Sequence, residues 1–254
     1  MNILLGSHGM LGSMFVREFK LPMKGYGHSQ FDAELPDFEL LKTKDWVINC
    51  IGVIKPYCDD VQRAITVNAL FPHLLPANTI QIATDCVYSG KKGGYVESDP
   101  HDALDVYGKT KSLGEASHIK NLRCSIIGPE LKNHISLLDW FLQQKQANGF
   151  TNHLWNGITT YHFVKITEGV IREGIELPHL LHIVPADKVT KAELLRLIGK
   201  YFKHEIPITE MEAPEAVDRT LATNKPDMNR ALWKAAGYKK PPTIEQMIRE
   251  LSEL

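Results

Sequence analysis

The chain has 254 residues, of which 43% are hydrophobic and 23% charged, with a formal net charge of −1. That length holds one large α/β domain, or one domain with a small lobe, and buries a sizeable core. The near-neutral balance, with no Lys/Arg cluster set beside an aromatic platform, argues against nucleic acid as a partner. No apolar run approaches the ~20 residues of a membrane span.

The opening Met1-Asn2-Ile3-Leu4-Leu5-Gly6 lacks the basic start and long apolar region of a signal peptide, so the cytoplasm is the expected location. Cys50, Cys58, Cys86 and Cys124 show no C-x-x-C spacing, and the eleven histidines include no H-E-x-x-H. His179 and His182 read as a loop and a strand edge rather than a metal pair. No metal is expected in the chemistry.

In chain order, Asn2–Leu5 predicts a short apolar strand, followed by Gly6-Ser7-His8-Gly9-Met10-Leu11-Gly12 and an amphipathic run, Met14–Phe19. Strand, glycine-rich turn and helix together present backbone N–H groups and a positive helix end to a pyrophosphate. The spacing is G-x-x-G-x-x-G rather than G-x-G-x-x-G. Gly25–Gln30 is expected to close the second strand. An NAD site usually carries an acid there, whereas this stretch offers His28, Ser29 and Gln30, which would not repel a 2′-phosphate. Asp37 and Phe38 are candidates for flanking the adenine.

Asp45–Gly52 predicts a third buried strand, with Cys50, Ile51 and Gly52 running into Val53–Pro56 as a backbone lining for the cofactor. Asp60–Leu75 reads as a helix bearing Val67-Asn68. Ile80–Asp85 reads as a fourth strand with polar groups only at its C-terminal end, the end where open α/β sheets bind ligands. Thr84 is therefore a candidate carbonyl-orienting hydroxyl. After the loop Gly90–Pro100 come a helix, Tyr107–His118, and a fifth strand, Leu122–Ile127. Alternating strands and helices over 1–128 indicate a doubly wound parallel sheet. Beyond Pro129 the expected elements are helices at Ser136–Gln146, Thr159–Arg172 and Thr190–Phe202, a loop at Gly149–Gly157, and a strand at Leu180–Val184. Two final helices, Asp227–Ala236 and Thr243–Leu254, complete the chain.

Tyr-x-x-x-Lys occurs at Tyr88/Lys92, Tyr107/Lys111 and Tyr161/Lys165. On a helix such a pair shares one face, and a cation beside a phenol favours the phenolate. That arrangement suits a proton donor for carbonyl reduction. Tyr88/Lys92 spans a Gly-rich loop, and Tyr161/Lys165 lies past the nucleotide-binding half. Tyr107/Lys111 follows the strand end carrying Thr84.

Taken together, Gly6-x-x-Gly9-Met10-Leu11-Gly12, Val67-Asn68, Ala83-Thr84-Asp85-x-Val87-Tyr88-x-Gly90, Glu97-x-Asp99-Pro100 and Val106-Tyr107-Gly108-Lys109-Thr110-Lys111-x-x-Gly114-Glu115 resemble the extended short-chain dehydrogenase/reductases, and within them the dTDP-4-dehydrorhamnose reductase family. The resemblance implies an α/β fold: a Rossmann-type doubly wound parallel sheet over 1–130 binding the dinucleotide. A small C-terminal α/β substrate lobe would occupy 131–254, with about 158–184 returning to the sheet. It implies NAD(P)H-dependent reduction of a nucleotide-linked 4-keto-6-deoxy sugar in deoxysugar and polysaccharide biosynthesis. In that reading Tyr107 donates the proton, Lys111 holds the nicotinamide ribose and depresses the Tyr107 pKa, and Thr84 bonds the carbonyl oxygen. NADP(H) is favoured, NAD(H) is allowed, and a homodimer is compatible with the scaffold.

The sequence departs from that family at Cys86 and at Cys124-Ser125-Ile126-Ile127, where an aromatic is usual, and in the loop Thr151–Gly157. The reaction type is therefore better indicated than the sugar. Asp85 and Cys86 are expected at the substrate, with Asn152 and His153 bonding hydroxyls and Trp155 stacking on a base or sugar. Two other readings stand beside the reductase: a nucleotide-sugar epimerase or dehydratase on the same scaffold, and a non-catalytic dinucleotide-binding regulatory subunit.

Overall fold

The computed structural model describes residues 1–254. Its centre is a six-stranded, all-parallel sheet built from β1 (Asn2–Leu5), β2 (Met23–Tyr26), β3 (Val47–Asn49), β4 (Thr79–Thr84), β5 (Lys120–Cys124) and β10 (Leu180–His182). The order across it is β2-β1-β3-β4-β5-β10. Every neighbouring pair is parallel. Such strands are covered on both faces and read as short apolar runs; Leu4, Leu5, Val47, Ile48, Ile80 and Leu122 are all essentially inaccessible. The strand order reverses between β1 and β3, which opens a crevice at their C-terminal ends.

Helix α1 (Met10–Glu18) and α5 (Thr160–Glu173) pack on one face. On the other lies a helix that starts at Val61–Ala64 (α2), continues as a π-helix over Ile65–Leu70 and ends as a 3-10 turn over Phe71–Leu74. Against it packs α3 (Val106–Leu113), shorter than the sequence suggests because the helix ends at Gly114. Gly114 has no room for a side chain: a Cβ there would meet the Asn68 carbonyl oxygen of the neighbouring helix.

Past β6 (Ile126–Ile127) and α4 (Leu137–Leu142), the expected loop at 149–157 is instead two short strands. β7 (Ala147–Phe150) pairs with β12 (Ile208–Met211), and β8 (His153–Trp155) sits between β11 (Val189–Thr190) and β13 (Val217–Asp218). β9 (Ile158–Thr159) pairs with β6. α6 (Lys191–Tyr201), α7 (Pro226–Ala235) and α8 (Ile244–Ser252) complete the chain, and one continuous core of 32 buried residues runs from Leu4 to Leu251.

A second, polar core joins distant parts of the chain. Arg123 on β5 is fully buried and donates to Glu115, to the Tyr88 hydroxyl at 2.5 Å, and toward His182 and His101 at 2.7 Å each. Tyr88 stacks on Tyr95 with ring centroids 4.1 Å apart. The segment around Tyr95 is closed by residues far downstream. Tyr95 N–H donates to the Thr220 carbonyl, Ala222 N–H donates to the Tyr95 carbonyl, and Glu97 accepts from the Thr223 hydroxyl at 2.6 Å.

Candidate active site

The crevice at the strand reversal holds two joined cavities. One, of about 240 Å³, lies between the glycine turn, the end of β2 and the start of α2. The other, of about 610 Å³, runs from the glycine turn past the ends of β4 and β5 to the segment Glu130–Leu137. They share His8, Gly9, Cys50, Ile51, Gly52 and Val53.

The glycine turn is built for close approach. Gly6 has φ +79°, and a Cβ on Gly12 would lie 2.0 Å from the Gly6 carbonyl oxygen, so α1 is pressed onto the strand end. Gly9 caps α1 with no side-chain hydrogen bond, and Gly9, Met10 and Leu11 line the cleft. The first N–H groups of the helix are thus left for a ligand, and the helix dipole favours an anion there. On the facing wall Asn68 clamps the Cys50–Val53 loop: its amide accepts from Val53 N–H at 2.8 Å and donates to the Val53 carbonyl at 2.9 Å. The same amide donates to Thr110 Oγ1 at 3.3 Å, tying the loop to α3. A π-turn at this point fits the tendency of such turns to occur at functional sites.

Asp105 caps α3 by accepting from Gly108 N–H at 2.9 Å. A Cβ on Gly108 would lie 2.4 Å from the Cys86 carbonyl oxygen, so the glycine lets the first turn of α3 settle against the end of β4. This brings Tyr107 alongside Thr84, and both line the larger cavity with Lys111, Asp85 and Cys86. The Thr84 hydroxyl accepts from Cys86 N–H at 3.1 Å and donates to Asp85 Oδ1 at 3.3 Å. Lys111 is buried and donates to the Ile82 carbonyl at 3.5 Å, and its ammonium lies by Gly52.

Burial dominates the electrostatics. It pushes the Tyr107 phenol up, helped by Cys86 and opposed by the Thr84 hydroxyl. The phenol is thus raised overall rather than depressed in this structure; the Lys111 ammonium lies by the Gly52 loop and is itself lowered by burial. Burial raises the Asp85 carboxyl against the pull of the Arg219 and Lys191 cations and of hydrogen bonds from Thr84 and Cys86. The Cys86 thiol is pushed up to about 12 by burial and Asp85, which leaves it neutral. No group of three or more His, Cys, Asp or Glu side chains is arranged to hold a metal ion.

No family model and no curated protein matches the sequence. Solved structures do match. A dTDP-4-dehydrorhamnose reductase from Bacillus anthracis in complex with NADP superposes with a TM-score of 0.79 at 15% identity, over 98% of this chain and 97% of the other. A dTDP-4-dehydrorhamnose reductase from Clostridium acetobutylicum gives 0.77 at 17% identity, over 100% and 99%. A UDP-glucuronic acid 4-epimerase from Bacillus cereus in complex with NAD gives 0.71 at 15% identity, over 100% and 96%. This chain has their fold.

Within that fold, Gly6, His8, Gly9, Met10, Leu11, Cys50, Ile51, Gly52, Thr84, Asp85, Cys86, Tyr107 and Lys111 all border the two cavities. Ser7 is buried beneath the turn, and Gly12 packs against the strand end. His28 borders the smaller cavity, and Ser29 follows it in an exposed turn. Of the other Tyr-x-x-x-Lys pairs, Tyr88 belongs to the buried polar core, while Lys165 donates to Tyr238 on the far side of α5.

Several expected residues lie elsewhere. Asp37 and Phe38 do not border the cavity: Asp37 caps the 3-10 turn Phe38–Leu41, and Phe38 is exposed. The cavity is lined instead by Phe31, Asp32, Ala33 and Glu34, with Arg63 from α2, an arginine the local sequence does not reveal. Asn152, His153 and Trp155 are also outside the cleft. Asn152 bonds the backbone of Ala213 in both directions, His153 meets the Glu215 carbonyl at 3.0 Å, and Trp155 is buried. The Trp155 indole donates to Ser125 Oγ at 2.8 Å, so it supports the cleft from behind. The outer wall is formed by Lys55, Tyr57 and Glu130–Leu137. Glu130 shapes that segment by accepting from Ile135 N–H at 2.7 Å and Ser136 N–H at 3.1 Å.

Proposed function

We propose that this chain is an NADP(H)-dependent reductase of a nucleotide-activated 4-keto-6-deoxy sugar, acting in deoxysugar and polysaccharide biosynthesis. The observation that carries this is the meeting of Thr84, Tyr107 and Lys111 on one wall of a cleft whose other end is the glycine turn and free helix end. The residues fit a dinucleotide: a turn too tight for side chains, an uncapped helix N-terminus and two joined cavities.

The reduced dinucleotide, when bound, supplies the hydride. The N-terminus of α1 holds the pyrophosphate through Gly9, Met10 and Leu11, and the Cys50–Gly52 loop lines the facing wall. Lys111, buried beside Gly52, holds the nicotinamide ribose. Thr84 donates to the substrate carbonyl oxygen, and Tyr107 delivers its hydroxyl proton to the alkoxide that forms there. With the phenol raised by burial, the proton stays on Tyr107 until an alkoxide forms beside it. Asp85 and Cys86 meet the sugar beside Thr84. NADP(H) is the favoured cofactor and NAD(H) remains usable.

The epimerase neighbour shares this fold, so chemistry must separate the readings. The dinucleotide-site reading is common to all of them; a dehydratase would use a second acid after Asp85, where this chain has Cys86. A regulatory subunit would bind dinucleotide without turnover. Four free cysteines support a reducing compartment such as the cytoplasm. Exposed Leu70, Leu74 and Leu113 on the paired helices supply apolar surface for a homodimer.

The deciding experiment follows NADPH and NADH consumption against a panel of nucleotide-linked 4-keto-6-deoxy sugars, with Tyr107→Phe alongside. Turnover with at least one sugar, reduced ~100-fold or more in the variant, is the expected result for a lost general acid. Dinucleotide binding with no turnover across the panel would favour the regulatory reading. Turnover that survives Tyr107→Phe would remove Tyr107 from the mechanism.

A further inference from the structure

We infer that His8 and His28 together read the phosphate on the adenosine ribose, so that the choice between NADPH and NADH depends on pH. This rests on the reading of the cleft as a dinucleotide site. In a doubly wound sheet the residues closing the second strand meet the ribose 2′-oxygen, through an acid for NAD or a cation for NADP. Here β2 ends at Tyr26, and Gly27–Phe31 turns back on itself, with Gln30 N–H and Phe31 N–H donating to the Gly27 carbonyl at 2.9 and 3.0 Å. The Gln30 side chain is used inside this turn, accepting from Gly27 N–H at 3.0 Å. His28 is left exposed at the cavity edge.

His8 reaches the same place from the glycine turn. A Cβ on Gly27 would lie 2.4 Å from His8 Nδ1, so the imidazole rests directly on the Gly27 α-carbon, where any other residue would displace it. Two imidazoles from separate elements thus border one cavity at the position that distinguishes the two cofactors.

The other charged groups lining this cavity are Asp32, Glu34 and Arg63. Arg63 Nε lies 3.1 Å from Glu34 Oε2, and Asp32 Oδ1 accepts from Glu34 N–H at 2.9 Å. These belong to the Phe31–Glu34 and α2 side of the cavity rather than to the strand end. Lys24, on β2, holds its ammonium 4.9 Å over the Tyr26 ring. At the strand end itself, the groups bordering the cavity are the two imidazoles. An imidazole donates a hydrogen bond in either state but is a cation only when protonated, and as a side-chain class it changes charge between pH 5 and 8. Hydrogen bonds from a charged donor to phosphate are about twice as strong as neutral ones. The neutral 2′-hydroxyl of NAD(H) gains much less from that charge.

The test is the Kd of NADP⁺ and of NAD⁺, measured by calorimetry at pH 6.5 and 8.5 for the native chain, a His8→Ala/His28→Ala variant and Arg63→Ala. Circular dichroism confirms that each variant is folded. A phosphate monoester has its second pKa near ~6, so the ligand is largely dianionic at both pH values. The preference for NADP⁺ is expected to be about tenfold greater at pH 6.5 than at 8.5, the scale of gaining charge-assisted contacts. The histidine double variant should show no such change, and Arg63→Ala should retain it. A preference independent of pH, or a pH dependence that survives the double variant, overturns the inference while leaving the dinucleotide site intact. Failure to bind either dinucleotide overturns the underlying site reading instead.

Discussion

Alanine at position 12 tests how the cleft is built. The added Cβ would lie 2.0 Å from the Gly6 carbonyl oxygen, 2.7 Å from its carbonyl carbon and 2.9 Å from the Ser7 α-carbon. All three are backbone atoms, so no flexible side chain relieves the clash, and α1 must move off the end of β1. Overpacking of this kind costs about 1–3 kcal/mol. For a chain of this size that lowers Tm by roughly 2–12 °C. Because the moved element carries the helix end proposed to hold the pyrophosphate, dinucleotide affinity should fall as well. Gly9→Ala provides the contrast: its Cβ would lie 3.4 Å from the Gly6 carbonyl oxygen, an ordinary contact, so stability should be nearly unchanged. The assay pairs a thermal melt with calorimetric titration of NADP⁺. Native stability and native affinity in Gly12→Ala would refute the packing argument.

Arg123→Met should cost about 3–5 kcal/mol, because it strands the Glu115 carboxylate in a buried site, and adding Glu115→Gln should recover part of that in a urea titration. Trp155→Phe should lose about 1 kcal/mol with the indole–Ser125 hydrogen bond and leave KM for the sugar unchanged. A tenfold rise in KM at native stability would return Trp155 to the substrate site. Burial pushes the Glu250 carboxyl up, but hydrogen bonds from His162, Tyr238 and Gln246 outweigh it and hold it at about 2 against an ordinary 4.5. The folded state thus prefers the ionised form, and its stabilisation is complete above pH 4.5 and lost as pH falls toward 2. Glu250→Gln should flatten the melting temperature across that window, and a persisting slope would assign it to other groups.

What could be read from the sequence was what the chain builds locally. The strand, glycine turn and helix over Asn2–Glu18 lie in one continuous segment, and the Tyr107/Lys111 spacing is set by a single helix. The lining of the smaller cavity was not legible because Arg63 arrives from α2 while Asp32 and Ala33 follow a turn whose direction depends on Gln30 closing onto Gly27. Asp37 and Phe38 were the plausible acid–aromatic pair, yet they fall past that turn, on a surface 3-10 helix. Asn152 looked available for a sugar because its partner is about sixty residues away. Asn152 is satisfied by Ala213 and Asn156 by Leu221, pairings no local pattern encodes. Helical spacing places Tyr107 and Lys111 on one face, but burial of the phenol, which depends on distant packing, raises it overall.

The closure of the Tyr95 segment by Thr220, Ala222 and Thr223 has a consequence for how the protein is made. The ribosome releases Tyr88, Tyr95 and Arg123 long before it has synthesised the residues that complete their surroundings. Arg123, with its guanidinium committed to Tyr88, must wait for His182, which in turn meets the Ala222 carbonyl at 2.7 Å. A nascent chain stopped after β5 therefore carries a buried cation without its full set of partners and an open loop beside α3. The first half is a late product of translation despite being encoded first, and cutting the gene between the halves would yield two incomplete pieces rather than two modules.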